Sequence, residues 1–262
     1  MSEKPRAFAV GAHPDDIEFN MAGTLALLAR AGFEPHMMNV SRSNLDSNEL
    51  PEAEITKIRL NEARRAAEVI GAIHHPPLVD DLMIFYEDRL LRMMSAVVRE
   101  IAPTIVLLPS LNDYMEDHTN TARVVITACF SRAMRHYRSD PPHEPTEQDV
   151  YLYHAQPHLN RDGMRHRVVP ELFVNITDVI QTKREMLARH ESQRQWLDQT
   201  QGLDDYVESM VAASAEVAGL SGQPNWQYAE GYRRHSHVGF AATDRDLLSE
   251  VLGNHVLPRP AA

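Results

Sequence analysis

A histidine and two aspartates follow the first apolar run of the chain, in AVGAHPDDIEF at residues 9–19. His13 and Asp16 are three positions apart, a spacing that lets both side chains point at one ion from a turn. Asp15 lies between them and would stay free to accept a proton beside the ion. Because histidine and carboxylate side chains are ligands of catalytic Zn²⁺, the stretch predicts half of a metal site.

A second cluster of the same residue types occurs in LNDYMEDHTNT, residues 111–121, which directly follows the apolar run TIVLLPS. It contains Asp113, Asp117 and His118. A catalytic zinc takes three protein ligands and keeps one position for water. His118 would complete the ligand set that His13 and Asp16 begin.

Both stretches also have a purely structural interpretation. HPDD after a strand is compatible with a proline-stabilised turn in which an aspartate caps the next helix. In DHTNT, Asp117 or Thr119 would cap a helix in the same way. The shared position of the two loops at one edge of a sheet makes the metal site an equal alternative to the structural interpretation, and spacing alone does not decide between them.

The elements that must position these loops alternate along the chain. The patterns predict strands at 7–12, 35–41, 104–110 and 150–155, a strand edge at 73–82, a strand pair at 167–177 interrupted by Pro170, and helices at 20–32, 52–72, 86–103, 118–137, 178–197 and 204–219. This alternation predicts parallel strands joined by crossovers. We expect one α/β domain over residues 1–262, with a Rossmann-like, mainly parallel sheet and helices on both faces. Ligands of such sheets bind at the carboxyl ends of the strands, where both loops emerge.

Composition restricts the class of protein further. The formal net charge is −11, from 26 basic and 37 acidic residues, which opposes binding to nucleic acid or an anionic membrane. No apolar stretch approaches the length of a membrane helix, and the polar start MSEKPRAFAVGA does not resemble a signal peptide, so a cytoplasmic location is expected. No G-x-G-x-x-G follows the first strand, which argues against a dinucleotide cofactor.

Five segments of the chain resemble, in the same order, the LmbE-like or PIG-L family of zinc-dependent N-deacetylases. They are AHPDDIEFNMAGTLA, RLNEARRAAEVIG, DYMEDHTNTARVV, FVNITDVIQTKREMLARHESQ and YAEGYRR. The resemblance implies a hydrolase that removes an N-acetyl group from an N-acetylglucosamine-type sugar or conjugate. It implies Zn²⁺ held by His13, Asp16 and His118, with Asp15 as general base. The same ligands also suit Fe²⁺, Co²⁺ or Mn²⁺.

The resemblance also implies a small-molecule amino-sugar conjugate as the partner, and it is compatible with a homo-oligomer without fixing the oligomeric state. Arg59 and Asp81 are expected to hold hydroxyl groups of the sugar. By position Asp80 is an equal candidate to Asp81. The alternative for Arg59 is a solvated helix face on which it pairs with Glu62.

Two departures from the family pattern affect the expected activity. Met115 occupies a position where the family has a histidine that polarises the carbonyl or stabilises the oxyanion, and methionine cannot donate a hydrogen bond. Tyr114 and His154 are candidate replacements, with a structural role the alternative for His154. The remaining histidines, His158 among them, are assigned no role.

The loop SRSNLDSNELP also lacks the glycine of the family's Thr-x-Gly-Glu stretch, which affects the expected substrate. Two other functions therefore remain open. They are a metal-dependent amidohydrolase acting on a non-sugar amide, and a catalytically weakened metal-binding protein.

Overall fold

A computed structural model describes residues 4–201 and 206–259 of the chain. In this part of the chain the strands are β1 (Arg6–Gly11), β2 (Glu34–Asn39), β3 (Ile73–His75), β4 (Ile105–Leu108), β5 (Tyr151–Ala155), β6 (Leu172–Asn175), β7 (Ala229–Arg234) and β8 (Val256–Pro258). The helices are α1 (Asp16–Asn20), α2 (Ala22–Arg30), α3 (Glu52–Glu68), α4 (Asp88–Ile101), α5 (Glu116–Ser131), α6 (Ile180–Ala188), α7 (Glu191–Gln201), α8 (Tyr206–Ser221) and α9 (Leu247–Leu252).

All of these strands belong to one sheet, with the order β3-β2-β1-β4-β5-β7-β6-β8. The first five in that order pair in parallel, while β7 is antiparallel to both β5 and β6, and β8 is antiparallel to β6. The chain proceeds outward from β1 to β3 and then returns to place β4 on the other side of β1. This reversal of strand order opens a crevice at the carboxyl ends of β1 and β4. The expected α/β fold with a mainly parallel sheet is confirmed.

Helices cover both faces of the sheet, as β1 shows most clearly. Its residues alternate between two hydrophobic clusters, with Ala7 and Ala9 in the one and Phe8 and Val10 in the other. The first cluster contains side chains of α2 and α6, and the second contains side chains of α4 and α5. A strand buried on both faces is apolar along its whole length, which is why β1 and β4 read as continuous apolar runs.

The buried carboxylate of Glu230 joins β7 to α2 through hydrogen bonds and to α6 through an ion pair. The Glu230 carboxylate accepts hydrogen bonds from the backbone N–H groups of Gly23 and Thr24, both at 2.8 Å, and from Lys183 Nζ at 2.6 Å. The Tyr232 hydroxyl donates to the same carboxylate at 3.0 Å. These contacts satisfy backbone donors of the first turn of α2, which no intrahelical bond can satisfy. The segment YAEGYRR therefore anchors α2, and through it the loop that precedes α1.

Several predicted elements differ in the structure. The helix expected at 20–32 is two helices, α1 and α2, which begin earlier and are interrupted at Met21, whose φ is −136°. The helix expected at 178–197 is likewise divided, between α6 and α7. The expected strand pair at 167–177 is the single strand β6. Strands β7 and β8 and helix α9 were not predicted, and residues 204–205 of the last predicted helix lie outside the described residues.

None of the helices within residues 4–201 and 206–259 combines the length and apolar character that crossing a bilayer requires.

Gly11, the last residue of β1, allows close approach of the turn that follows. A Cβ atom at this position would lie 2.8 Å from the Asp16 Cβ and 3.2 Å from the Asn39 amide nitrogen. We expect Gly11→Ala to displace Asp16 and to lower the free energy of unfolding by about 1–3 kcal/mol, as overpacking of a dense interior does.

The matched control is Gly219→Ala at an exposed position of α8, where an added Cβ meets nothing within 4 Å. This change removes backbone freedom of the unfolded chain, so the free energy of unfolding should stay unchanged or rise by up to about 1 kcal/mol. Urea unfolding of both variants measures the difference. Equal stabilities would show that the turn after β1 tolerates a larger residue.

Candidate metal centre and active site

The turn between β1 and α1 is held by the Asp16 side chain. Asp16 Oδ2 accepts the backbone N–H groups of Ala12 and His13, both at 2.8 Å, and Asn39 Nδ2 donates to the His13 carbonyl at 2.6 Å. Asp15 has a φ of 116°, a region that non-glycine residues seldom adopt. Backbone strain of this kind clusters at functional sites.

The turn after β1 is present, but neither of the expected helix caps is observed. Asp15 occupies the cap position of α1, but its side chain accepts no capping hydrogen bond. The cap residue of α5 is Met115, so neither Asp117 nor Thr119 caps that helix. The aspartates are therefore available for other contacts.

His13, Asp16 and His118 meet in the crevice between β1 and β4. The three residues offer nitrogen and oxygen ligand atoms that all lie within 4.8 Å of one another. His118 Nε2 is 3.3 Å from Asp16 Oδ1, and His13 Nδ1 is 3.7 Å from Asp16 Oδ2. His13 also forms a second group of this kind with Asp81 and Asp117. The residues that the sequence predicts as ligands thus lie at ligand spacing.

Carboxylates on the far side of each imidazole orient the two histidines. Asp117 Oδ2 lies 3.2 Å from His13 Nε2, and Asp113 Oδ1 lies 2.9 Å from His118 Nδ1. If these nitrogens carry the protons, His13 Nδ1 and His118 Nε2 present lone pairs toward Asp16. Metal-bound histidines are held by carboxylates in this way, which fixes the tautomer and the ring plane. Asp113 and Asp117 therefore orient the two histidines that are the candidate ligands.

The carboxylates around His13, Asp16 and His118 need positive charge to balance them. Burial lowers the pKa of His13, but hydrogen bonds to Asp117 and Asp16 outweigh burial and raise that pKa to about 10. The pKa of His118 is raised well above its ordinary value because the charge of Asp16 and the hydrogen bond to Asp113 exceed the opposing effect of burial. Two protonated imidazoles thus balance the surrounding carboxylates, and one divalent cation would balance them equally. The donor set and its charge fit Zn²⁺ or a similar ion.

Asp15 is buried beside this group, 3% exposed, and accepts a hydrogen bond from the Tyr206 hydroxyl at 2.9 Å. Burial raises the pKa of Asp15 to about 7, while the positive charge of Arg59 opposes that shift and the negative charge of Asp16 adds to it. A carboxyl group with this pKa can take up and release a proton near neutral pH. Tyr206, on α8, is a functional candidate that the sequence did not indicate.

Arg59 lies beneath the site and is fully buried. Its Nη2 donates to the Pro14 carbonyl at 2.9 Å, while Nη1 contacts Gln193 and lies 3.3 Å from Asp46 Oδ2. It is neither on a solvated face nor one of the cavity-lining residues. These contacts make Arg59 a support of the His-Pro-Asp-Asp turn, and its expected contact with sugar hydroxyls stays a prediction.

Glu62, one turn further along α3, does not take Arg59 as its partner. Its carboxylate accepts the Ser192 backbone N–H at 3.0 Å and the Ser192 hydroxyl at 2.5 Å. Arg59 and Glu62 therefore both bind the start of α7, which carries Ser192 and Gln193. Two of the family-like segments, RLNEARRAAEVIG and FVNITDVIQTKREMLARHESQ, thus contact each other in the fold.

Of the two candidate aspartates after β3, Asp81 faces the site and Asp80 does not. Asp81 is buried, accepts the Ser41 hydroxyl at 2.5 Å and lies 3.4 Å from His13 Nε2. Asp80 is about half exposed and pairs with Arg42 Nε at 2.8 Å. Asp81 thus contacts His13 and lines the cavity, and its expected contact with sugar hydroxyls stays a prediction.

The site opens into a cavity of about 630 Å³. The cavity is lined by His13, Asp15, Asp16, Leu45, Asp46, Asp81, Leu82, Tyr114, Met115, His118, His158, Leu159, Arg161, Asp162, Gln193, Trp196, Leu197 and Tyr206. Met115 and Tyr114 both face it. His154 does not: its Nδ1 lies 3.0 Å from the Pro109 carbonyl and its Nε2 lies 3.0 Å from His235, so its role is structural.

Residues that the sequence left without a role also line this cavity. Asp46 comes from the loop after β2 that departs from the family pattern, and His158 follows β5 at the same edge of the sheet as the two metal loops. Position after a parallel strand was a signal that could have identified His158. Gln193 ends one of the five segments that resemble the family, whereas no comparable signal marks Tyr206, which comes from a helix distant in sequence.

Comparison with known proteins gives a family match over residues 8–129, to the model described as PIG-L, GlcNAc-PI de-N-acetylase. A diacetylchitobiose deacetylase of Thermococcus kodakarensis is 24% identical over 196 residues, which are 72% of this chain and 70% of the relative. A 4-oxalmesaconate hydratase of Pseudomonas putida is 29% identical over 182 residues, 66% of this chain and 68% of the relative.

Among solved structures, the N,N'-diacetylchitobiose deacetylase of Pyrococcus horikoshii, in complex with an inhibitor, has the same fold with a TM-score of 0.74 at 18% sequence identity. The similarity covers 94% of this chain and 89% of that structure. The matched family region includes both loops that carry His13, Asp16 and His118.

Replacing either orienting carboxylate should weaken metal binding while leaving the ligands in place. For Asp113→Asn and Asp117→Asn we expect zinc affinity to fall about 10- to 100-fold, because an amide holds the histidine tautomer less firmly. Competition with a chromophoric chelator measures the affinity. Asp80→Asn, at an exposed aspartate outside the cavity, is the matched control. Unchanged zinc affinity in both variants would show that neither Asp113 nor Asp117 orients its histidine for metal binding.

Proposed function

Because residues 8–129 carry the match to the PIG-L (LmbE-like) family, we propose that this protein is a metal-dependent N-deacetylase. Its substrate is an N-acetylated amino sugar or a conjugate of one, and its metal is Zn²⁺. The observation that carries the proposal is the position of Asp15 directly beside the ligand group His13, Asp16 and His118, at the base of a large cavity.

In this proposal His13 Nδ1, a carboxylate oxygen of Asp16 and His118 Nε2 hold the ion. When bound, the ion supplies Lewis-acid chemistry, polarising an acyl oxygen and lowering the pKa of water. Asp113 and Asp117 keep the two imidazoles in the required tautomer. Arg59 holds the intervening turn through the Pro14 carbonyl.

Asp15 moves the proton. As water attacks the acetyl carbon, the Asp15 carboxylate accepts the proton that the water loses. Asp15 then delivers this proton to the nitrogen as the C–N bond breaks, so that acetate and a free amine leave. One carboxyl group can perform both transfers because they occur in sequence, and a pKa near 7 suits both directions. The Tyr206 hydroxyl keeps the carboxyl group in position.

The charges that line the cavity favour a neutral or cationic substrate. Asp46, Asp81 and Asp162 line it in addition to Asp15 and Asp16, whereas Arg161 is the one lysine or arginine among the lining residues that the structure describes. An amino-sugar product is cationic at neutral pH and is attracted by such a surface. Hydroxyl groups of a sugar can donate hydrogen bonds to these carboxylates.

A hydratase is the second candidate, since one relative is a 4-oxalmesaconate hydratase and hydration also requires an activated water. A substrate with several carboxylates needs cationic side chains to bind it, and the cavity is predominantly acidic. The deacetylase is therefore preferred on electrostatic grounds.

The test is acetate release by the zinc-loaded protein from a panel of N-acetylglucosamine conjugates and simple N-acetyl amides. We expect activity on the sugar conjugates and a decrease in kcat of about 100- to 10,000-fold in Asp15→Asn, the range that general acid–base catalysis contributes. Asp80→Asn should retain wild-type activity. Hydration of 4-oxalmesaconate is measured in parallel.

Each other outcome points to a different function. Acetate release from the simple amides alone would indicate an amidohydrolase for non-sugar substrates. Hydration without acetate release would replace the deacetylase with a hydratase. Zinc binding with neither activity would leave a metal-binding protein that is not an enzyme of either class.

A further inference from the structure

The proposed deacetylation places negative charge on the acyl oxygen, and a positioned hydrogen-bond donor stabilises such an oxyanion. Met115 faces the cavity at the position where the sequence leads one to expect a histidine donor, and its thioether cannot donate. The described part of the cavity must therefore supply a donor from another element, or the metal acts alone.

Most of the other hydrogen-bond donors that line the cavity already have a protein partner or are exposed to solvent. The Tyr206 hydroxyl donates to Asp15, and Trp196 takes part in another contact. Gln193 Oε1 accepts from Arg59, which fixes the side chain, and its Nε2 is the remaining amide donor among the described residues of the cavity. Tyr114 and Arg161 are each about half exposed, and hydrogen bonds there compete with water.

His158 differs from these donors. Within residues 4–201 and 206–259, no hydrogen bond to protein is found for its imidazole, although the ring lines the cavity and is largely covered. Packing rather than hydrogen bonding holds the ring, against Phe19 of α1 with 4.4 Å between ring centroids and near Tyr114 at 6.1 Å. Phe19 is on the same short helix as Asp16, so the ring is fixed relative to a metal ligand.

The backbone after His158 is strained and anchored. Leu159 and Asn160 both have positive φ angles, 52° and 59°, which non-glycine residues adopt at a cost. Asn160 Nδ2 contacts the Ala213 carbonyl at 3.2 Å and Glu216 at 3.1 Å, which ties the turn to α8. The chain thus maintains an unfavourable turn at the point where it presents His158 to the cavity.

We propose that the His158 imidazole N–H binds the acyl oxyanion in this protein, in place of the donor that Met115 lacks. The inference rests on the proposed N-deacetylase function. His158 follows β5, the parallel neighbour of β4, so it approaches the crevice from the strand next to the His118 loop. Burial also lowers the pKa of His158, which keeps the ring neutral at pH 7 with one N–H to donate.

The experiment compares the zinc-loaded 262-residue protein with three variants. His158→Phe keeps the packing on Phe19 and removes the donor, and His158→Gln retains an N–H. Met115→His combined with His158→Phe restores a donor from the other loop. His136→Phe, at an exposed histidine outside the cavity, is the control. The readouts are kcat and KM for acetate release, metal content, and calorimetric binding of a methylphosphonamide analogue of N-acetylglucosamine as a tetrahedral anion.

In His158→Phe we expect kcat to fall about 100- to 1,000-fold, with KM and metal content close to wild type, because the bond forms mainly in the transition state. Binding of the phosphonamide should weaken in parallel. His158→Gln should lose less, and the double variant should regain activity relative to His158→Phe alone. A purely structural role of the ring would not produce this rescue.

Wild-type kcat and phosphonamide affinity in a folded His158→Phe would overturn the role of His158 and leave the deacetylase intact. A wild-type protein that neither releases acetate nor binds the phosphonamide would overturn the proposed function, and the role of His158 with it. If His158→Phe does not fold, the test uses His158→Gln and the double variant Met115→His with His158→Gln. A complete loss of kcat in His158→Gln that Met115→His does not restore would equally contradict the proposal.

Discussion

Excess negative charge at the carboxyl ends of β1 and β4 is the constraint on which the site depends. Asp15, Asp16, Asp81, Asp113 and Asp117 lie together there and are largely covered by protein. Carboxylates cannot be gathered out of water without compensating positive charge. Arg59 and the protonated imidazoles of His13 and His118 supply this compensation when no metal is present. In our proposal a divalent cation replaces the two imidazole protons, so that metal binding and the stability of this part of the fold would be coupled.

The fold brings these groups together by reversing strand order beside β1. Strand β1 delivers Asp15 and Asp16 at the same edge where β4 delivers Asp113, Asp117 and His118, although about 100 residues separate the two loops. Helices and a strand that are distant in sequence support these loops. Arg59 and Glu62 bind the start of α7, and Glu230 binds the start of α2. The motifs that surround the metal group thus act largely as supports for two short loops.

The parts of this arrangement that local sequence encodes could be predicted. The ligand group and Asp15 follow two apolar strands, and the pattern of those strands specifies their common edge. Whether the Arg59 side chain is buried or exposed could not be predicted, because the pattern of an amphipathic helix does not distinguish a buried arginine from a solvated one. Tyr206 donates a hydrogen bond to Asp15 although the two residues are 191 positions apart in the sequence, and no local sequence pattern predicts such a contact. Strand β8 is three residues long, and the antiparallel β7 has glycine and two arginines, so neither has the apolar run of a central strand.

The central claim is that His13, Asp16 and His118 form one metal site that the fold's charge distribution requires. Equilibrium dialysis with elemental analysis tests it most directly, on wild type, Asp16→Asn and His118→Gln, with circular dichroism to verify folding. The account predicts one zinc per wild-type chain and loss of that zinc in both folded variants. Absence of bound metal in the wild type, or equally tight binding in the two variants, would contradict it.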